Sequence, residues 1–260
     1  MPRFARAIGI DYSGARTPTD GLPGLRVYLA EGESPPVEVR PSPDRRRHWT
    51  RRALAEWLAA QLRDGPPAVI GMDHGFSFPL RYFAQHGLPL RWSDFLDDFC
   101  HHWPTDQDDV SVDMVRRGQR GAGRARMGDA RWRRLCDLRA GAAKSVFHFD
   151  VTGSVAKSTH AGLPWLRFLR RQLGERLHVW PFDGWDVPEG RSLIAEVYPR
   201  LWRGRLPRTT QSPDQHDARV VADWLWEANC QGTLADYLNP ALAPDERAIA
   251  EVEGWILGLR

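Results

Sequence analysis

The chain has 260 residues, 42% hydrophobic and 27% charged, which is enough apolar content to bury a sizeable core and too much for a disordered polymer. Its three cysteines, Cys100, Cys136 and Cys230, lie far apart, which excludes a disulfide framework and a paired-cysteine zinc site. No run of about 18 apolar residues occurs and Met1 to Ile10 holds no apolar signal core, so a cytoplasmic protein with no membrane partner is expected. The sequence says nothing of oligomeric state.

In chain order, Ala7 to Ile10 reads as a buried strand that delivers Asp11 into a turn with Ser13 and Gly14. Leu25 to Ala30 and Val37 to Arg40 read as two more strands of an antiparallel meander. Leu54, Trp57, Leu58 and Leu62 recur at helical spacing over Arg51 to Leu62, and Gly65-Pro66-Pro67 ends that helix. Ala68 to Met72 is a second buried strand ending in a carboxylate, Asp73.

Residues 80–150 read as a helical insertion within a single domain spanning 1–260. Helices are expected over Trp92 to Trp103 and Arg131 to Leu138, with a glycine and arginine loop, Gly118 to Gly128, between them. The net charge of +3 is unevenly spread. Asp94 to Asp113 holds seven aspartates and no Lys or Arg, whereas Arg116 to Arg139 holds nine arginines against two aspartates. Either the basic stretch attracts phosphate backbones, with Arg120 and Arg124 as contacts, or the acidic stretch folds against it and neutralises it. Trp132 among the arginines could stack a base, and core packing is its alternative.

Further along, Gly162 to Leu173 reads as a helix, Leu177 to Trp180 as a strand, and Leu193 to Val197 as a strand carrying Glu196. A helix then starts at Ser212, with Pro213 and Gln215 completing a capping box. Its apolar face, Val220, Val221, Trp224 and Leu225, turns Asp214 and Asp217 toward the protein. A last helix over Asp245 to Leu257 is expected to cover the sheet. Only Lys144 and Lys157 are lysines; the residues before Lys157 lack phosphate-loop glycines, and Lys144 is a candidate phosphate contact.

Asp11, Asp73, Glu196 and the Asp214/Asp217 pair thus stand at the ends of four elements. Acids beyond the carboxyl ends of parallel strands can converge, and their mutual repulsion is relieved by a hard cation, Mg²⁺ or Mn²⁺. Each has a structural alternative: Asp11 bonding its own turn, Asp214 favouring the helix dipole, Glu196 in a buried salt bridge to an arginine. His74 and His216 flank the acids as proton carriers or structural residues.

Ile8-Gly9-Ile10-Asp11-Tyr12-Ser13-Gly14, Gly71-Met72-Asp73-His74-Gly75-Phe76-Ser77-Phe78-Pro79, Ala195-Glu196-Val197-Tyr198-Pro199 and Asp214-Gln215-His216-Asp217-Ala218 resemble, in order, the motifs of an uncharacterised bacterial family of predicted ribonuclease H-like nucleases. The first and last also resemble the opening and closing motifs of Holliday-junction resolvases, and the match spans about residues 4 to 230. The resemblance implies an α/β fold of the ribonuclease H type: a mixed sheet, antiparallel meander plus parallel strands, flanked by helices. It implies Asp11, Asp73, Glu196 and Asp217 as catalytic metal ligands, with Asp214 a fifth; Ser13, in the turn after Asp11, is a separate, weak substrate-contact candidate. Asp73 departs from the resolvases, which carry a glutamate at that place.

The expected function is a metal-dependent phosphodiesterase or nuclease acting on nucleic acid. Two alternatives stay open: a nucleotide-binding phosphotransferase of the actin-like ATPase class, which shares the Gly-Ile-Asp strand end, and a non-catalytic nucleic-acid-binding module that uses the arginine face alone.

Overall fold

A computed structural model describes residues 2–41 and 47–260. Among the described residues the strands form one six-stranded mixed sheet in the order β3-β2-β1-β4-β6-β5. β1 (Arg6–Asp11) is its centre: β2 (Arg26–Ala30) pairs with it antiparallel and β3 (Val37–Glu38) extends that meander. On the other side β4 (Ala68–Asp73) runs parallel to β1, β6 (Ser192–Glu196) parallel to β4, and β5 (Leu177–Val179) parallel to β6 at the edge. The central strands are apolar on both faces, as a sheet covered on both sides requires.

Helices supply the two covers. α1 (Arg51–Asp64) starts at Thr50, whose hydroxyl accepts from the Ala53 N–H at 3.0 Å, and buries Leu54, Leu58 and Leu62. It packs with α6 (Ala156–Leu173) on the face carrying Ile8, Ile10, Ile70 and Met72. α7 (Pro213–Gln231) covers the opposite face, over β1, β2 and β4. Its approach is close because β1 and β4 offer glycines there: a Cβ on Gly9 would lie 2.2 Å from the Ala218 carbonyl oxygen, and one on Gly71 2.8 Å from Val221 Cγ1.

Between β4 and α6 run α2 (Leu80–His86), α3 (Trp92–His102), α4 (Val112–Arg116) and α5 (Leu135–Arg139). These shorter helices share the core of the sheet. Phe78 meets Phe95 at 5.0 Å, Phe99 at 5.6 Å and Phe147 at 4.6 Å between ring centroids, and this cluster is continuous with the α1 and α6 face. The Gly118 to Gly128 loop is packed too, since Gly123 lies against the Trp103 indole.

Several elements depart from the sequence expectation. The helix expected over Arg131 to Leu138 is confined to α5, because Arg134 is its extended N-cap, its backbone N–H donating to the Asp137 carboxylate at 3.0 Å. α6 begins at Ala156, so Lys157 and Ser158 stand in its first turn. The chain closes on α7, α8 (Leu234–Leu238) and α9 (Pro244–Glu253). α9 packs on α2 and α5 rather than covering the sheet, and it stops at Glu253 with Gly254 at φ 82°. Beyond it Leu257 forms a parallel bridge with Val197, its N–H donating to the Glu196 carbonyl at 2.8 Å. No described helix is long and apolar enough to cross a membrane.

Candidate functional site

Strand register decides where each acid points. Asp11 and Asp73 are direct partners across β1 and β4, as are Gly9 and Gly71 two residues earlier. Alternation along the strand therefore puts both carboxylates on the α7 face, side by side on neighbouring strands about 4.8 Å apart. Glu196 is instead in register with Met72, on the face it shares with Ile70 and Ile194. One residue of register thus turns Glu196 to the opposite side of the sheet from the two aspartates.

α7 brings the other pair. Its capping box is closed at both ends, with Ser212 Oγ accepting from the Gln215 N–H at 3.2 Å and Gln215 Oε1 accepting from the Ser212 N–H at 2.9 Å. That start fixes the helix over the carboxyl ends of β1 and β4. A cleft of about 440 Å³ opens there, and Asp11, Asp73, Glu196, Asp214 and Asp217 all line it. Arg134, Lys144, Arg200 and Arg203 supply its positive charge.

The acids differ sharply in company. Among the described residues nothing hydrogen bonds to or ion pairs with the side chains of Asp11, Asp73 or Asp214. Burial, followed by the charges of Asp73, Asp214 and Asp217, holds the Asp11 carboxyl well above the ordinary aspartate range. Burial and the neighbouring Asp217 and Glu196 push Asp73 up to about 8. Asp214 is raised as well, by burial and by Asp217. Asp217 is paired: Arg203 Nε donates to its Oδ1 at 2.7 Å and Arg203 Nη2 to its Oδ2.

Glu196 is held more firmly still. Both terminal nitrogens of Arg134 donate to it at 2.6 Å, one to each oxygen, and the Phe76 N–H adds a third bond at 3.1 Å. Arg134 also grips Asp137 at 2.9 Å, and all three side chains are buried. Burial raises the Glu196 carboxyl, and the Arg134 charge opposes it. The buried salt bridge weighed for Glu196 from sequence therefore exists, with Arg134 as its arginine.

The weaker candidates scatter. Lys144 reaches the cleft, its Nζ donating to the Thr152 carbonyl at 2.5 Å. Ser13 stays within its turn, accepting from the Ala15 N–H at 3.5 Å. Arg120 and Arg124 are exposed and outside the cleft lining, Arg120 paired with Asp109 at 3.0 Å. His74 is buried against Tyr12 with Nδ1 on the Gly75 carbonyl, and burial pushes it down to about 4, which suits a neutral packing residue. His216 sets Nε2 3.2 Å from the Arg203 carbonyl. Lys157 is bound to Asp113 at 2.6 Å, and Trp132 packs under Arg81.

The arginine-rich stretch is largely neutralised. Arg116 pairs with Asp150, Arg126 with Asp98, Arg131 with Asp129, and Arg139 with Glu246. Of the seven acidic-segment aspartates, Asp98 and Asp109 fold directly against it. Sequence reading missed Arg134 and Arg203 as partners of the cleft acids: they lie 62 and 14 residues from Glu196 and Asp217, too far for a local pattern to connect them, although Arg134 also pairs with Asp137 three residues on.

As a donor set, the aspartates fit a hard divalent cation: they are oxygen-only, desolvated and mutually repelling. In spacing, no group of three or more His, Cys, Asp or Glu among the described residues stands close enough to hold an ion as it is. The chain matches no protein-family model, no curated protein and no solved structure.

Proposed function

We propose that this cleft is the metal-dependent active site of a phosphodiesterase on a ribonuclease H-like fold, with nucleic acid as the substrate class. The carrying observation is that Asp11, Asp73 and Asp214, from three separate elements, converge without a hydrogen-bonding or ion-pairing partner. Partly buried, unpaired carboxylates that raise one another's proton affinity are a standing cost, and a cation is the group that removes it. The strand order β3-β2-β1-β4-β6, antiparallel then parallel, supports the fold reading.

In this reading Asp11, Asp73 and Asp214 hold Mg²⁺ or Mn²⁺, and Asp217, held by Arg203 in the metal-free cleft, is the fourth ligand. The bound cation would activate a water and stabilise the departing oxygen. Glu196, bound to Arg134, keeps the insertion seated on the sheet instead of ligating. Lys144 and Arg200 at the cleft wall face the substrate phosphate. The neutralised arginine stretch contributes little, so affinity concentrates at the cleft.

Calorimetric titration of Mn²⁺ into the wild type, Asp11→Ala and Asp73→Ala tests this, together with Mn²⁺-dependent hydrolysis of bis(4-nitrophenyl) phosphate. Binding and hydrolysis in the wild type, both lost in each variant, are expected. Undiminished Mn²⁺ binding by Asp11→Ala would remove the assignment.

A further inference from the structure

Resting on the metal-site reading above, we infer that Arg203 is a built-in countercation that competes with the divalent ion for Asp217. Three observations carry this. First, the guanidinium fork engages both Asp217 oxygens, one bond to each, so a divalent ion drawn to Asp217 meets a positive charge already in place there. Second, the reach of Arg203 extends past its partner, since its charge acts on Asp11, Asp73 and Asp214 as well. It therefore sits in the same electrostatic basin that a metal would enter.

Third, the two partners differ in freedom. The Arg203 side chain is 54% exposed and that of Asp217 only 6%, so the arginine can return to water while the aspartate cannot. The backbone beneath Arg203 is meanwhile pinned. Trp202 stacks on Trp224 of α7 at 3.9 Å, and the Arg203 carbonyl faces His216 Nε2. Departure is thus a side-chain rotation that leaves the turn in place.

The consequence is a set threshold for metal. Arg203 lowers affinity by having to be displaced, and it keeps the metal-free cleft tolerable by supplying positive charge. Those two effects have opposite signs in one variant, which a purely structural salt bridge would not produce.

Mn²⁺ calorimetry and metal-free thermal melting on the wild type, Arg203→Gln and Arg203→Lys test it. Arg203→Gln should bind Mn²⁺ about tenfold tighter than the wild type and melt at lower temperature without metal. Arg203→Lys, which keeps the charge and loses the fork, should fall between them in affinity, and it carries the test if the glutamine variant does not fold. Wild-type binding with no gain in either variant overturns the role of Arg203 and leaves the metal site standing. Absence of Mn²⁺ binding in all three overturns both.

Discussion

Two groups of charge, one buried and one partly open, meet in one cleft and are built on opposite plans. On one face of the sheet Glu196, Asp137 and Arg134 are fully satisfied, with the guanidinium bonded to both carboxylates. On the other, Asp11, Asp73, Asp214 and Asp217 share one half-exposed arginine, which touches only the last of them. Glu196, Asp137 and Arg134 are fully buried, whereas Asp11, Asp73 and Asp214 keep a partly open edge on the cleft, so the two groups differ in exposure as well as in compensation. A compensated cluster fixes geometry, whereas an uncompensated one keeps a demand for positive charge that the fold itself does not meet.

The largest test of that contrast is Arg134→Ala, which strands Glu196 and Asp137 without a cation. It should lower stability by about 3–5 kcal/mol, read as a shifted urea midpoint. Glu196→Gln is milder. It keeps the shape, should cost roughly 1–3 kcal/mol, and should leave Mn²⁺ affinity within about threefold of wild type. Loss of Mn²⁺ binding in that variant would move Glu196 into the aspartate group and dissolve the comparison.

Asp73→Asn should act in the other direction. An unfolded aspartate gives up its proton near about 3.9, and Asp73 in the fold does so at about 8. Between those values the folded state holds more protons than the unfolded one. Stability of the metal-free protein should therefore fall as pH rises through this window. Asn removes the Asp73 share, so the variant should melt at higher temperature than wild type at pH 8 and at nearly the same temperature at pH 4. Each pKa unit relieved is worth about 1.4 kcal/mol. A wild-type stability that rises across the window would contradict the uncompensated plan.

The smallest effect belongs to the insertion. Arg124 is exposed and without an ion-pair partner among the described residues, so Arg124→Ala should change stability by less than about 0.5 kcal/mol. If the insertion does hold nucleic acid, the same variant should reduce the slope of log affinity against log salt by about 1.

Sequence patterning revealed the frame well where the signal is local. The apolar runs at β1, β4 and β6 and the Ser212 capping box each declare an element through residues adjacent in the chain. The cleft was half legible. Strand-end acids marked the right place, yet nothing in Glu196 itself reveals that its register with Met72 turns it away from Asp73. The Arg134–Glu196 and Arg203–Asp217 pairs were invisible for a related reason: their partners are distant in sequence and meet only after the chain has folded. The arginine-rich stretch is the converse. A net charge counted along the sequence overstates the field, because the balancing carboxylates arrive from Asp98, Asp109, Asp150 and Glu246.

The glycines under α7 set how deep this cleft can be. Gly9 and Gly71 let the helix bearing Asp214 and Asp217 rest against the sheet bearing Asp11 and Asp73, and a single methyl at residue 9 would collide with the helix backbone. Such a methyl is a wedge: it touches none of the acids, yet it would lift one pair away from the other. Gly9→Ala is therefore a spacer substitution, a way to dial the distance between two halves of a site while leaving every polar group in it chemically intact.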